Sequence, residues 1–258
     1  MTFASKAWFA AGVVTCVVMA PRDAHAYRPF DGTDADVAGL GEFELELGPV
    51  HYYGVGRQHY LLLPATVLNF GVFTGWEFVI DFNNFLALDP AAGQPRDQVL
   101  ADDVFLKGIL RRGVLQGETG VSVATEFGPL TPNLNGGDKG FGGQANLITS
   151  YRLGDATFHW NNAVALTRTQ HTDLFSSMIV EGSRHLAIRP VGEAYVERDF
   201  GEQVTTLSGL LGAIWVYRDG LVFDVGLRVA RELTESADLN VTEVRLGLTW
   251  TLPVWSPK

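Results

Sequence analysis

Glu42-Phe43-Glu44-Leu45-Glu46-Leu47 sets three carboxylates against three apolar side chains, because successive residues of an extended chain point to opposite faces. Trp76-Glu77-Phe78-Val79-Ile80-Asp81-Phe82 repeats the pattern, with Glu77 and Asp81 opposite an apolar row. Val104, Leu106, Gly108 and Leu110 oppose Asp103, Lys107 and Arg111; Leu221, Phe223, Val225, Leu227 and Val229 oppose Asp224, Gly226 and Arg228. Val244, Leu246, Leu248, Trp250 and Leu252 oppose Glu243, Arg245, Thr249 and Thr251. Helical spacing is nowhere better supported. Turn signals divide the chain into about twelve strands: 41–53, 57–71, 74–86, 99–112, 117–127, 139–152, 155–167, 175–184, 187–198, 202–217, 220–232 and 239–252. Most are 10–15 residues long. Globular strands average about five or six residues, whereas a tilted strand needs about 9–11 to cross hydrocarbon. The expected fold is all-β: a transmembrane antiparallel up-and-down β-barrel of about twelve strands. A soluble β-sandwich is the competing reading of the same alternation.

Composition supports the barrel. Only 19% of residues are charged and 29 are glycine, poor in charge and rich in glycine for a soluble domain. A net charge of −10 without any Lys/Arg-rich run argues against a nucleic-acid partner. Lys6, the apolar stretch Ala7 to Ala20, Pro21 and Ala24-His25-Ala26 form a signal peptide, residues 1–26. Val13-Val14-Thr15-Cys16 is a poor lipoprotein box, so the one cysteine is expected to leave with the leader. Without Lys6, Arg22 and Asp23, the 17 basic and 28 acidic residues that remain give a mature charge of −11. Residues 27–40 are expected as a periplasmic N-terminal segment, 41–252 as the barrel and 253–258 as a C-terminal tail. With the N-terminus in the periplasm, the connections near 73–75, 113–117, 153–155, 185 and 218–220 are short. Most of those facing outward (87–98, 128–139, 168–174, 233–240) are longer, the habit of outer-membrane barrels. Tyr52, Tyr53, Tyr60, Trp76, Phe127, Phe141, Tyr151, Phe158, Trp215, Tyr217 and Trp250 lie near strand ends, where interfacial girdles are found.

Two stretches carry resemblances. Arg245-Leu-Gly247-Leu-Thr-Trp250-Thr-Leu252 resembles the signal that outer-membrane assembly machinery recognises on a last strand, although Pro253 to Lys258 follow it. Arg28-Pro29-Phe30-Asp31-Gly32-Thr33-Asp34-Ala35-Asp36-Val37, followed by Gly41-Glu42-Phe43-Glu44-Leu45-Glu46, is similar to an uncharacterised family of bacterial outer-membrane β-barrels. That family includes proteins labelled transporters and is related to the phenol-degradation meta-pathway outer-membrane proteins. The resemblance covers some 20 residues and implies a barrel in the outer membrane of a Gram-negative bacterium, passing small molecules, hydrophobic ones included. It supplies no site residues.

Parity assigns the charges. An Arg or Lys facing lipid at the midplane costs about 2–4 kcal/mol, so Glu44, Glu77, Asp81, Asp103, Lys107, Arg111, Glu126, Arg152, Glu193, Asp224, Arg228 and Arg245 are expected to line the lumen. Glu42, Glu46, Glu181, Arg189, Glu197 and Glu243 share that parity, as do the apolar Leu61, Leu63, Phe105, Ile109, Leu207, Leu211 and Trp215. A mixed-sign lining fits either a selective pore or paired charges filling a narrow barrel. A strand parity slip at a bulge could equally explain the apolar members.

No cofactor or metal is expected. Asp31, Asp34 and Asp36 could offer carboxylates to Ca²⁺ but lack the rest of an EF-hand, and read as an acidic turn. His51, His59, His159, His171 and His185 are scattered. The glycine-rich stretch 135–143 lacks a phosphate-loop ending and reads as an external turn running into a strand. Gly-x-Ser-x-Gly is missing; His171, Ser176 and Ser177 lie near one external loop, and His159 and Asn161 share a lumen face, without spacing that makes a triad. The expected function is a channel or transporter, not an enzyme, working as a monomer with membrane lipid outside and a small-molecule solute inside. A lipid-acting hydrolase and a structural or adhesive barrel are the alternatives.

Overall fold

A computed structural model of the chain describes residues 28–90, 95–100, 103–135, 137–235 and 238–255. The expected signal peptide, with Cys16, lies outside the described residues. The strands are β1 (Glu42–Val55), β2 (Gln58–Phe73), β3 (Trp76–Ala87), β4 (Asp97–Leu100), β5 (Val104–Arg111), β6 (Ser122–Leu130), β7 (Gly142–Leu153), β8 (Ala156–Leu166), β9 (Thr172–Glu181), β10 (Ile188–Asp199), β11 (Val204–Arg218), β12 (Leu221–Leu233) and β13 (Leu239–Pro253). β4 and β5 both pair with β3, at Asn83–Leu86 and Trp76–Ile80 respectively, and share one position in the wall. The wall therefore has twelve staves. β1 pairs antiparallel with β13, from Glu42 opposite Pro253 to Val55 opposite Val241, and with β2 on its other side. This closes the sheet, as lipid demands of a backbone it cannot hydrogen-bond.

Both ends of the sheet meet at one rim, the terminal rim. Three of its connections are tight turns with Gly75, Gly154 or Gly220 in the left-handed region, φ +79°, +60° and +72°, which glycine adopts without steric cost. Its longest connection carries a short 3-10 helix, Val114–Gln116. The opposite, loop rim carries long connections at 88–96 and 131–141, and the glycine-rich stretch begins in the second of them.

The apolar rows face out. Leu211 is 77% exposed and Val229 57%, and Leu147, Trp160, Leu227 and Val244 keep them company. The polar rows face in: Ser150, Asn161 and Thr249 are wholly buried, and Lys107, Glu243 and Glu46 nearly so. A water-soluble sandwich would bury the other face.

Three expectations need correcting. In β11, Leu207, Leu211 and Trp215 point outward and Leu210 and Ile214 inward. Both faces of this strand are apolar, so alternation offered no contrast. In β2, Leu62 is buried and Leu63 exposed, because the register shifts between Leu62 and Ala65 around Pro64; Leu61 and Leu63 thus share the outer face. In β1, a shift between Leu47 and Val50 turns His51, Tyr53 and Val55 inward. Tyr53 and Tyr60 consequently line the lumen instead of joining a girdle. Phe105 and Ile109 keep their inward parity.

Leu211 lies midway along β11, so Leu211→Arg should lower the unfolding free energy in lipid vesicles by about 2–4 kcal/mol. Denaturant titration and the shift between boiled and unboiled bands on a gel would measure it. An unchanged midpoint would place Leu211 in the lumen.

Candidate functional site

Residues 28–40, expected as a periplasmic lead-in, run inside the barrel. The physical reason is the lumen's own inventory of buried acceptors and donors. Ala38 N–H donates to Glu77 Oε2 (2.6 Å), and Gln116 Nε2 donates to Ala35 O (2.8 Å) and Asp36 Oδ1 (3.1 Å). Ala35 N–H donates to Ser150 Oγ (3.0 Å). Thr33 and Asn161 exchange two bonds, Thr33 N–H to Oδ1 (3.0 Å) and Nδ2 to Thr33 O (2.8 Å). Asp31 and Gly32 N–H each reach a Glu193 carboxylate oxygen at 2.8 Å. Arg245 donates to Pro29 O (2.6 Å) and Asp31 Oδ1 (2.8 Å). Read from residue 38 back to 28, the partners come from β3, the 3-10 helix, β7, β8, β10 and β13 in order, so the segment follows the wall round the lumen.

Its small residues sit where the wall is close. A Cβ on Gly32 would lie 2.4 Å from Ser177 Oγ and 2.8 Å from Asn161 Nδ2. Ala35 packs on Leu115, Ala124 and Ile148. Pro29 and Phe30 lie against the apolar patch of β10, β11 and β12, where Val191, Ile214 and Val222 are buried and Gly212 and Gly226 leave room for the proline ring.

The charged lining divides accordingly. Glu77, Lys107, Glu193, Asp224, Arg228 and Arg245 are buried and meet the segment: Lys107 Nζ lies 3.2 Å from Thr33 Oγ1 and 4.0 Å from Asp34, and Asp224 lies 3.9 Å from Arg28. Arg228 and Arg245 both contact Glu243 and Asp31. Glu44 accepts from Thr251 Oγ1 (2.9 Å). Glu126 stands opposite Lys107, and Arg152, opposite Thr157, faces in near the terminal rim. Asp81 lines a cavity above the segment, and Asp103 takes Arg168 at 2.6 Å near the loop rim. Arg111 differs, lying exposed at the last position of β5.

The three N-terminal aspartates point to separate partners: Asp31 to Arg228 and Arg245, Asp34 to Lys107 and the Asp36 N–H, and Asp36 to Gln116. Among the described residues no group of three metal-ligating side chains is gathered. His171 and Ser176 are not brought together either. Ser176 is on the outer face with Trp160 and Asn162, Ser177 is buried in the lumen, and His171 packs under Gly201 at the loop rim. A different line, not expected from spacing, runs from Ser150 Oγ to His159 Nδ1 (2.8 Å), with His159 Nε2 3.7 Å from Glu181. Ser150 is fully buried beneath Ala35, so this line clamps the segment and offers no reaction space.

Above the segment, two cavities on the loop side are lined by described residues. One, about 580 Å³, rests on Pro29–Asp31 and is walled by Tyr53, Tyr60, Leu62, Val67 and Phe85. The other, about 490 Å³, is bordered by Asp103, Asp138, Asp173, Glu197, Asp199 and Glu202, with Arg168. The inward course of the segment was not legible as such; the signal available was a run of small and acidic residues matching a lumen with buried Arg and Lys.

Removing one anchor should loosen the segment. Arg245→Met leaves Asp31 and Glu243 to Arg228 and removes the donor to the Pro29 carbonyl, a loss of about 1.5–3 kcal/mol for charged hydrogen bonds, and should speed hydrogen exchange at Asp31, Gly32, Thr33 and Ala35. Arg231→Met, which removes an exposed pair with Asp238, should leave those amides protected. Equal exchange in both variants would contradict the anchoring.

No protein-family model matches the sequence, and no curated protein matches it. Among solved structures, the chain is similar to an outer-membrane channel from Pseudomonas putida F1, with a TM-score of 0.60 and 8% identity over 86% of this chain and 100% of that one. An anion-selective porin from Comamonas acidovorans follows at a TM-score of 0.42 and 10% identity, over 73% of this chain and 59% of the porin. An outer-membrane protein of Vibrio cholerae gives 0.41 and 8%, over 82% and 100%; at these scores the last two add nothing to the fold. The chain has the fold of a bacterial outer-membrane β-barrel, and its apolar outer rows suit the lipid of such a membrane.

Proposed function

We propose that the protein is a monomeric outer-membrane channel for small molecules whose lumen is closed on the periplasmic side by its own residues 28–40. The observation that carries this reading is the course of that segment, round the wall and below two loop-side cavities. A barrel with a purely structural or adhesive role has no use for solute-sized cavities ending on a hydrogen-bonded seal. The terminal rim is then periplasmic and the loop rim external, so solute enters through the loops and passes when the segment shifts. Hydrophobic small molecules are the proposed cargo. The apolar wall of the larger cavity supports this, and the resemblance of the Arg28–Glu46 stretch points the same way. Membrane lipid contacts the outer rows, and the last strand is the signal offered to the assembly machinery. No enzymatic step is part of this reading.

Planar-bilayer recording tests it. Deleting residues 28–38 should raise single-channel conductance severalfold over the full mature chain. Because the deletion also removes partners of Lys107 and Arg245, a crosslink supplies a second arm. Ala35→Cys with Ser150→Cys should hold the channel closed when oxidised and restore full-chain conductance when reduced. Conductance indifferent to both changes would overturn the reading.

A further inference from the structure

We infer that the terminal rim holds a binding site for a small oxyanion of phosphate size, built from Thr157, Arg184 and Arg189. The site is independent of the channel reading, since it needs only the closed barrel and its rim.

Strand ends bring the charges together. Arg152, the penultimate residue of β7, stands opposite Thr157 of β8, and Thr157 stands opposite Glu181, the last residue of β9. Glu181 in turn faces Val191 of β10. Arg189 precedes Val191 by two residues and so shares its inward parity. Arg184 lies in the turn between β9 and β10, where its charge bears on Glu181. Neighbouring staves thus deliver three guanidinium groups and one hydroxyl to one stretch of the inner wall.

The acids at this place do not use up the donors. Glu181 meets Arg189 Nη1 only at 3.5 Å and His159 Nε2 at 3.7 Å, whereas a charge-assisted hydrogen bond closes to about 2.7–2.9 Å. Asp36, which also lies in the field of Arg184, accepts from Gln116 Nε2 and the Val37 N–H. Arg184 Nε, Arg189 Nε and Thr157 Oγ1 are enclosed and have no hydrogen-bond partner among the described residues. Thr157 is 0% exposed and Arg189 6%, so neither reaches bulk water in exchange. A buried donor without an acceptor is costly, and three of them gather at the same strand ends. Arg152 and Arg184 are half-buried and form the side of the cluster that opens on the rim.

These donors select the class of ligand. Arg152, Arg184 and Arg189 outnumber Glu181 and Asp36, so the charge that is missing is negative. A planar carboxylate is met by the edge of one guanidinium through two parallel bonds. Here the donors stand on β8, on a turn and on β10, which suits an anion with oxygens on several sides. Chloride offers a single acceptor and cannot span them. The side chains share the inner face, so the ligand arrives through the aqueous mouth of the barrel and not from the lipid around it.

Calorimetry on the purified full mature chain in detergent, at constant ionic strength, tests this with inorganic phosphate, acetate and chloride. Phosphate should bind saturably at one site, and acetate and chloride roughly tenfold more weakly. Arg184→Gln should weaken phosphate about tenfold, and Thr157→Val, which removes a hydroxyl that no described group uses, severalfold. Arg112→Gln, at the same rim but in an exposed pair with Glu118, should leave the affinity unchanged. Proton–nitrogen NMR of arginine-labelled wild-type chain gives a readout that does not depend on a variant folding. The Nε–H resonances of Arg184 and Arg189 should move with phosphate and stay put with chloride. Glycerol 3-phosphate separates the sources of the ligand: binding as tight as phosphate assigns the site to any phosphoryl group, and refusal assigns it to the free ion. Absent or unsaturable phosphate binding, acetate or chloride as tight as phosphate, equal responses of Arg112→Gln and Arg184→Gln, or unmoved Nε–H resonances would each overturn the inference.

Discussion

A bilayer gives the backbone no hydrogen-bond partner, and a sheet that lives there has to close on itself. Closure here joins β1 to β13 over twelve residue pairs and leaves one face of every stave against lipid. That face has to be apolar, so the charges of an acidic chain are gathered in the lumen. Burying charge is expensive unless it is paired and hydrogen-bonded, and cross-wall pairing meets only part of the need. Lys107 faces Glu77 and Glu126, and Arg228 faces Glu243. Glu193 stands opposite Leu210 and Ile179, and Asp224 opposite Ile214 and Gly247, none of which can answer a carboxylate with a side-chain donor.

The N-terminal segment answers them. Backbone N–H groups of Asp31 and Gly32 take both oxygens of Glu193, Arg28 stands beside Asp224, and Asp31 completes the Arg228–Arg245–Glu243 cluster. The same segment has little bulk because the wall is near: at Gly32 even one added carbon would collide with Ser177. Its Pro29 and Phe30 meet a stretch of wall, along β11, that is apolar on the inside. Segment and lumen are complementary in charge, in size and in polarity, which is why the segment sits in the barrel and not below it.

Much of the wall could be read from residue order. Strand number, the long strands and the inward course of Glu44, Glu77, Lys107, Asp224 and Arg245 follow from period two once lipid is taken to be outside. What could not be read has two causes. Side-chain parity holds only as far as the next bulge, so Gly48-Pro49 and Pro64 moved Tyr53 and Leu62 across the wall. Parity is also silent where both rows are apolar, as in β11, where Ile214 faces Phe30 and Trp215 faces lipid. The place of residues 28–40 depends on distant pairs such as Asp31 with Arg245, 214 residues apart, and no local pattern announces those.

The cavity and the N-terminal segment share their parts. Asp31, Arg228, Arg245 and Glu243 anchor the start of the segment and also form the floor on which the aromatic cavity stands. Pro29, whose carbonyl Arg245 holds at 2.6 Å, lies in the same floor. Tyr53, Tyr60 and Phe85 line the same cavity as the groups that hold the segment in place. On the channel reading, occupancy above and closure below would share one ion-pair cluster, and any coupling between them would run equally in both directions.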